Sequence, residues 1–300
     1  MTAGKVTLPR RALSVTELKA LQGGAEVELA GLCRDLQAVF RDGARAVHLQ
    51  GLDPALLGED GMASALLRIG GWLGSPSIQS PAGERVARVE HLHGDPQTRG
   101  THSDGELRAH SDLHDILALA SVRAAEQGGE SFLIPAEMLH EYMRQTAPEH
   151  LPALYEGYYW GTNPVLRSDH PVSTQKVPVI LSQSNRVHIC CNPYFLRMGA
   201  KVRGEELPQP LAKALTALQD AAELVAQQSC FVLQPGEAIF WHNWSWLHGR
   251  RAFSGKTPRL LLRLWLRSDL AGPVDPLLAQ RGEWIDEDHH LTAQLGLRAA

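Results

Sequence analysis

Two histidines and an aspartate constrain this chain more than any other feature. His110 and Asp112 stand two residues apart in ELRAHSDLHD, and His248 lies far along the chain in WSWLHGRRAF. Residues i and i+2 of a strand point to the same face, so His110 and Asp112 can approach one point together. His248 joins them only where a remote strand returns alongside. Two imidazoles and one carboxylate hold one face of an octahedral iron and leave three positions open. A chain built this way is expected to be mainly β with flanking helices. The architecture that brings two distant strands to one mouth is a double-stranded β-helix, a jelly-roll, cupin-like barrel.

The surrounding segments fit that expectation. DILALASVRA (115–124) is a nearly continuous apolar run, the pattern of a strand buried on both faces. RLLLRLWLR (259–267) reads as a second long strand, and CFVLQPGEAIFWHN (230–243) as strand, Pro-Gly turn, strand. Shorter strands are expected at 44–52, 83–92, 106–112 and 185–192. Helices are expected at 27–41, 63–74, 136–145 and 207–228. The last carries an apolar stripe of Leu211, Leu215, Leu218, Ala222 and Val225. Residues 93–105 are polar and Gly-rich and read as a loop; 146–186 reads as loops over a pocket. Residues 1–15 read as a loose tail, 16–300 as a single domain, and about 83–270 as its jelly-roll core.

Composition narrows the function. A chain of 300 residues, 44% of them hydrophobic, can bury a large core. Its net charge of -4 argues against nucleic acid as the main partner. No apolar run reaches the roughly 18 residues of a membrane span, and MTAGKVTLPRRALS lacks the apolar stretch of a secretory signal. Cys33, Cys190, Cys191 and Cys230 have no metal-binding spacing and read as reduced thiols. The expected location is cytoplasmic.

An Fe(II) oxygenase of this kind needs two electrons from a co-substrate. 2-Oxoglutarate supplies them by chelating iron through its keto acid end and losing carbon dioxide, and its far carboxylate needs a fixed cation. Arg259, on the strand that follows His248, offers the bidentate fork that a lysine lacks. Arg263 lies on the same face of that strand. It is a second cation for 2-oxoglutarate or for an acidic substrate, and Arg250 and Arg251 add charge nearby. Asp112 supplies the carboxylate that a halogenase of this kind lacks, so halogenation is not expected; hydroxylation is the usual outcome, and desaturation, epoxidation or cyclisation would use the same ligands.

These motifs resemble the taurine dioxygenase/TfdA family of Fe(II)- and 2-oxoglutarate-dependent oxygenases, over about residues 28–270. The resemblance rests on HSD (110–112), the apolar strand ILALASVRA (116–124) and the GGES turn (128–131). LYEGYYW (154–160), PGE (235–237), LHGRRAF (247–253) and RLLLRLWL (259–266) extend it. It implies that His110, Asp112 and His248 hold iron. It also implies that Arg259 and Ser131 hold 2-oxoglutarate, and that Arg263 occupies a position that meets substrate in some relatives. The implied reaction consumes molecular oxygen, hydroxylates a small molecule and releases succinate and carbon dioxide. One departure is HICCNPYFL (188–196), where relatives tend to carry basic residues; Cys190, Cys191 and Pro193 point to a different substrate.

Several alternatives stand beside this reading. A second HSD at His102–Asp104 competes with His110–Asp112, but no apolar strand feeds it. His242 competes with His248. Tyr158, Tyr159 and Trp160 are either core or pocket wall; Trp241, Trp244 and Trp246 are expected to pack the barrel, and His289 and His290 to face solvent. A cupin-type metalloenzyme would keep the triad but have no use for Arg259, and a non-catalytic sensor would keep only the fold. The basic residues hint at an acidic or amino-acid-like substrate. Metal affinity is expected to fall below about pH 6 to 6.5 as the histidines protonate.

Overall fold

The computed structural model describes residues 6–90, 103–163, 166–183, 185–255 and 259–296. The first strands are β1 (Arg10–Ala12), β2 (Ala46–Gln50), β3 (Ser75–Pro76), β4 (Val86–Glu90), β5 (Leu107–His110), β6 (Ile116–Arg123), β7 (Gln127–Gly128) and β8 (Ser131–Pro135). Then come β9 (Ile180–Gln183), β10 (Arg186–Ile189), β11 (Cys230–Phe231), β12 (Glu237–His242), β13 (Trp246–Arg250), β14 (Phe253–Ser254) and β15 (Leu260–Arg267). The α-helices are α1 (Val15–Leu21), α2 (Ala30–Arg41), α3 (Pro54–Leu73) and α4 (Ala136–Thr146), followed by α5 (Leu151–Glu156), α6 (Pro193–Arg203), α7 (Gln209–Ala226) and α8 (Pro276–Gln294).

The apolar run after Asp112 becomes β6, at the heart of a seven-stranded sheet ordered β1-β2-β12-β6-β15-β3, with β4 also on β15. Alternation sorts its side chains. Leu262, Leu264 and Leu266 of β15 join Ala118 and Ala120 of β6 against α2 and α3. Leu261 and Trp265 face the other way, with Leu117, Ile239 and Trp241. There they meet Leu133 and Trp246 from a four-stranded sheet ordered β11-β8-β13-β5. The outer face of that smaller sheet, including Phe132, Ile134 and Leu247, packs against α4, α5, α6 and α7. Each fully buried Leu or Phe in these layers contributes about 1.5–3 kcal/mol. Among the described residues the two sheets share no closing strand pair, so this jelly roll is a sandwich with a lined interior rather than a closed barrel.

The expected strands and helices form, with differences that have local causes. Residues 10–12 are not a loose tail: β1 pairs in parallel with β2, and Ser14 closes a capping box with Glu17 at the start of α1. The helix expected at 63–74 is preceded by a short helical segment from Pro54, whose start Asp53 caps by accepting from the Ala55 N–H, with a kink between the two at Gly58 (φ 65°, ψ -179°). The irregular stretch 146–186 contains α5 and β9. α6 was not expected; Asn192 caps its start, Pro193 opens it, and Gly204 ends it at φ 68°. α8 also escapes sequence periodicity and buries His289, which was expected at the surface; desolvation takes that imidazole down to about 4. His290 is exposed, as expected.

Candidate active site

β13 sits between β8 and β5, and its register sets His248 directly opposite His110. The residue after His248 has to be very small. A Cβ on Gly249 would collide with the Phe132 ring and the Leu107 carbonyl, so glycine alone lets the three strands close up. β5 ends at His110, and Asp112 lies in the turn beyond it, so strand alternation alone does not aim its side chain. Buried Asn243 does so. Its Oδ1 accepts from the Asp112 N–H at 3.0 Å, and its Nδ2 donates to the carbonyls of Asp112 at 3.0 Å and His114 at 2.8 Å. Ser111 fastens the same turn to Cys191: its N–H donates to the Cys191 carbonyl, and its Oγ accepts from the Cys191 N–H at 2.9 Å.

The three side chains converge. His110 Nε2 lies 3.7 Å from Asp112 Oδ1, and His248 Nε2 lies 3.9 Å from Asp112 Oδ2. The two imidazole centroids are 4.2 Å apart. His110 Nδ1 lies 2.9 Å from the Arg108 carbonyl, which directs Nε2 into the cluster. Desolvation, with His110 and Arg263 nearby, drives His248 down to about 3 against the opposing pull of Asp112. Burial pushes the Asp112 carboxyl up, but interactions with His248, His110 and Arg263 and a bond from Trp265 outweigh it and hold it low. A neutral His248 beside an ionised Asp112 is what metal ligation requires. The donor set and its convergence fit a single octahedral-type metal ion with open positions, and they form the cluster of metal-capable groups among the described residues.

Of the competing residues, His102 is outside the described residues. Asp104 offers its carbonyl to the Phe253 N–H and its charge to Arg250. Buried His242 turns its Nδ1 to Ser245 Oγ at 2.7 Å and its ring to His188. Tyr158 and Trp160 belong to the core beneath the helices, as does Trp244, whereas Trp241 and Trp246 line the interior between the sheets.

Arg259 immediately precedes β15 and is only 5% exposed. Desolvation and neighbouring Arg250 take its guanidinium down to about 10, so it remains a cation at neutral pH. Among the described residues no carboxylate pairs with it. It borders the Gly128–Gly129 turn, because a Cβ on Gly129 would stand 3.6 Å from Arg259 Cδ. Ser131, buried at the start of β8, is the register partner of Arg250 on β13. Two residues of strand, about 7 Å, separate Arg250 from His248.

Arg263 has a different setting. Its Nε donates to Gln79 Oε1 at 2.8 Å, its guanidinium lies 4.2 Å from the Trp265 ring centroid, and its charge acts on Asp112. It therefore belongs to the metal cluster's surroundings, whereas Arg259 neighbours Arg250. Arg250 and Arg251, read from sequence as charge for an acidic ligand, are committed to structure. Arg250 donates to the carbonyls of Ser103 at 2.8 Å and Gly105, and Arg251 pairs with Glu106 at 2.6 Å and Glu223 at 2.7 Å. Asn243, Trp265 and Gln79 had no sequence signal of their own; the HNW and RLWL contexts were visible, but their partners were not.

Two imidazoles and a carboxylate between the sheets of a jelly roll match the donor set of a mononuclear metal site of the facial-triad class. The chain belongs to the taurine catabolism dioxygenase TauD, TfdA family, whose model matches residues 17–265. It is 27% identical over 212 residues to FR-33289 synthase of Streptomyces rubellomurinus, a match covering 66% of this chain and 61% of that protein. It is 28% identical over 184 residues to the taurine hydroxylase-like protein SAT17 of Stachybotrys chartarum, covering 58% and 46%. The chain thus spans less than two thirds of these relatives. Its fold is that of an asparagine oxygenase solved with Fe(II), hydroxyasparagine and succinate: TM-score 0.65, 20% identity, 85% of each chain covered. It is also that of the non-heme iron oxygenase OrfP solved with Fe and alpha-ketoglutaric acid, at TM-score 0.61 and 17% identity over 87% of this chain and 95% of that one.

Proposed function

We propose that this protein is an Fe(II)- and 2-oxoglutarate-dependent oxygenase that hydroxylates a small, amino-acid-like molecule. The observation that carries the proposal is a converged His110–Asp112–His248 cluster together with a buried, positively charged Arg259 immediately before β15, the strand whose Arg263 and Trp265 reach Asp112. In this reading His110, Asp112 and His248 hold Fe(II), while Arg259 receives the far carboxylate of 2-oxoglutarate with Ser131 beside it. Once bound, the metal and keto acid together supply the oxidising chemistry with molecular oxygen, yielding succinate and carbon dioxide. The chain's own residues do the rest. Asn243 and Ser111 hold the Asp112 turn still, and Leu133, Leu261 and Trp241 keep the interior dry around the charges. A cupin-type site that makes no use of 2-oxoglutarate has no reason to bury Arg259, and a sensor has no reason to keep all three ligands.

Arg263 is the proposed anchor for a substrate carboxylate, because it faces Asp112 and Gln79 rather than Arg259. The asparagine oxygenase holds hydroxyasparagine, and OrfP has been solved with (3S)-hydroxy-L-Arg and with L-homoarginine. An L-amino acid is accordingly the first substrate class to test. Cys190 and Cys191 are buried free thiols, which supports a reducing, cytoplasmic setting. Among the described residues no helix is long and apolar enough to cross a membrane.

The test is anaerobic addition of Fe(II) and then 2-oxoglutarate, followed by succinate release across a panel of L-amino acids. A visible charge-transfer band lost in His248→Ala and weakened in Arg259→Ala is the expected result. Bound iron without a band rejects the 2-oxoglutarate reading.

A further inference from the structure

Trp265 touches three parts of the site at once. Its Nε1–H donates to Asp112 Oδ2 at 3.0 Å. Its ring stacks on His114 at 4.9 Å and 19°, and it carries the guanidinium of Arg263 4.2 Å from its centroid. His114, 1% exposed, lies with its Nε2 3.2 Å from Asp286 Oδ1 on α8. Gly282 of α8 presses close to the Leu113 carbonyl and the His114 ring. The indole is thus held by its contacts and fixed in plane, and its N–H has one direction in which to point.

The two oxygens of Asp112 are therefore not equivalent. Oδ2 faces His248 Nε2 at 3.9 Å and also accepts the indole N–H at 3.0 Å, while Oδ1 faces His110 Nε2 at 3.7 Å without that bond. We infer that Trp265 is a positioning residue that commits Oδ2 and reserves Oδ1 alone as the metal-binding oxygen. The inference rests on the proposed metal reading and adds a coordination mode to it. A carboxylate bound through both oxygens fills two positions of an octahedral ion, and with two imidazoles it leaves two open. Bound through one oxygen, it leaves three. A chelating keto acid needs two positions and oxygen needs a third. A hydrogen bond to a charged carboxylate oxygen is stronger than a neutral one and competes with the metal for that lone pair. The C-terminal helix enters the same chain of contacts, because Asp286 and Gly282 set the face of His114 on which the indole lies.

The experiment begins with anaerobic binding of Co(II) and Fe(II) to the wild type and to Asp112→Ala. One bound ion in the wild type, lost in Asp112→Ala, tests the metal reading by itself. Trp265→Phe then keeps an aromatic ring and removes the N–H. The expected variant still binds Co(II), but with an altered visible spectrum, and its Fe(II) form binds 2-oxoglutarate about ten-fold more weakly, the usual scale for outer hydrogen bonds at metal ligands. A wild-type Co(II) spectrum together with wild-type 2-oxoglutarate affinity overturns the inference. A second measurement needs no change at Trp265. One indole N–H resonance of the wild type should be protected from solvent exchange and lose that protection in Asp112→Ala. If no indole resonance responds, the inference fails.

Discussion

Replacing Arg259 with methionine should move stability and binding in opposite directions. The side chain is 5% exposed, and burial beside Arg250 lowers its pKa from 12.5 to about 10. The folded pKa lies below the unfolded one, so the buried charge costs the fold stability at every pH below about 10, and the cost is relieved only as pH rises through that value. At 1.36 kcal/mol per tenfold change, the drop amounts to roughly 3 kcal/mol. The Phe253 ring, 5.5 Å from the guanidinium, returns about 0.5–1 kcal/mol. Arg259→Met should therefore stabilise the ligand-free protein by about 2 kcal/mol, a rise in Tm of roughly 3–6 °C for a chain of this length. Binding should suffer by about 3–5 kcal/mol, the scale for deleting one partner of a buried ion pair, or a 2-oxoglutarate Kd raised by roughly two to three and a half orders of magnitude. Thermal melts of the anaerobic Fe(II) protein, with and without saturating 2-oxoglutarate, read both effects. The wild type should melt below the variant without 2-oxoglutarate and above it with 2-oxoglutarate. A variant that melts lower on its own and still binds 2-oxoglutarate like the wild type refutes the reasoning.

Asn243→Ala strips partners from the backbone of Asp112 and His114 inside the core; urea melts should show a loss of about 2–4 kcal/mol, and metal titration a weaker site. An unchanged metal affinity would mean the turn holds itself. Gly249→Ala drives a methyl into Phe132 and the Leu107 carbonyl, so a loss of at least 1–3 kcal/mol is expected, and a wild-type Tm would rule out the tight strand approach. Asp288 is 2% exposed, and desolvation raises it from 3.8 to about 6. Its protonated form favours the fold, so its contribution is complete below about pH 4 and is lost as pH rises through 6. Asp288→Asn should remove that slope and gain up to about 3 kcal/mol at pH 7; parallel stability curves for the two proteins from pH 4 to 7 would contradict this.

The sequence made some parts of this molecule legible for a physical reason: they are written locally. His110 and Asp112 sit in one short motif, β6 and β15 are nearly continuous apolar runs, and α7 carries an unbroken stripe. The parts that stayed hidden are pairings across the chain. Asn243 reaches back to Asp112, Trp265 reaches Asp112, and Asp286 of α8 reaches His114. α8 buries Arg281, Asp288, His289 and Thr292 alongside its apolar residues, so polarity masks its inner face. β1 is three residues long, too short to show a period. The two arginines of RLLLR lie on one strand in the sequence, but their surroundings differ through distant residues: Gln79, Trp265 and Asp112 at Arg263, and Phe253 and Arg250 at Arg259.

β15 carries a consequence for how such a protein can diversify. Leu261, Arg263 and Trp265 look into the site, while Leu262, Leu264 and Leu266 look into the helices. Inserting or deleting one residue there would exchange the two sets, delivering leucines to the metal and charge to the apolar layer. Lineages descended from this fold can therefore vary the strand only by substitution, with its length fixed. Changes in length are confined to segments that enter neither sheet, such as the exposed connection between α6 and α7, and new substrate preferences gained by insertion should arise from segments of that kind.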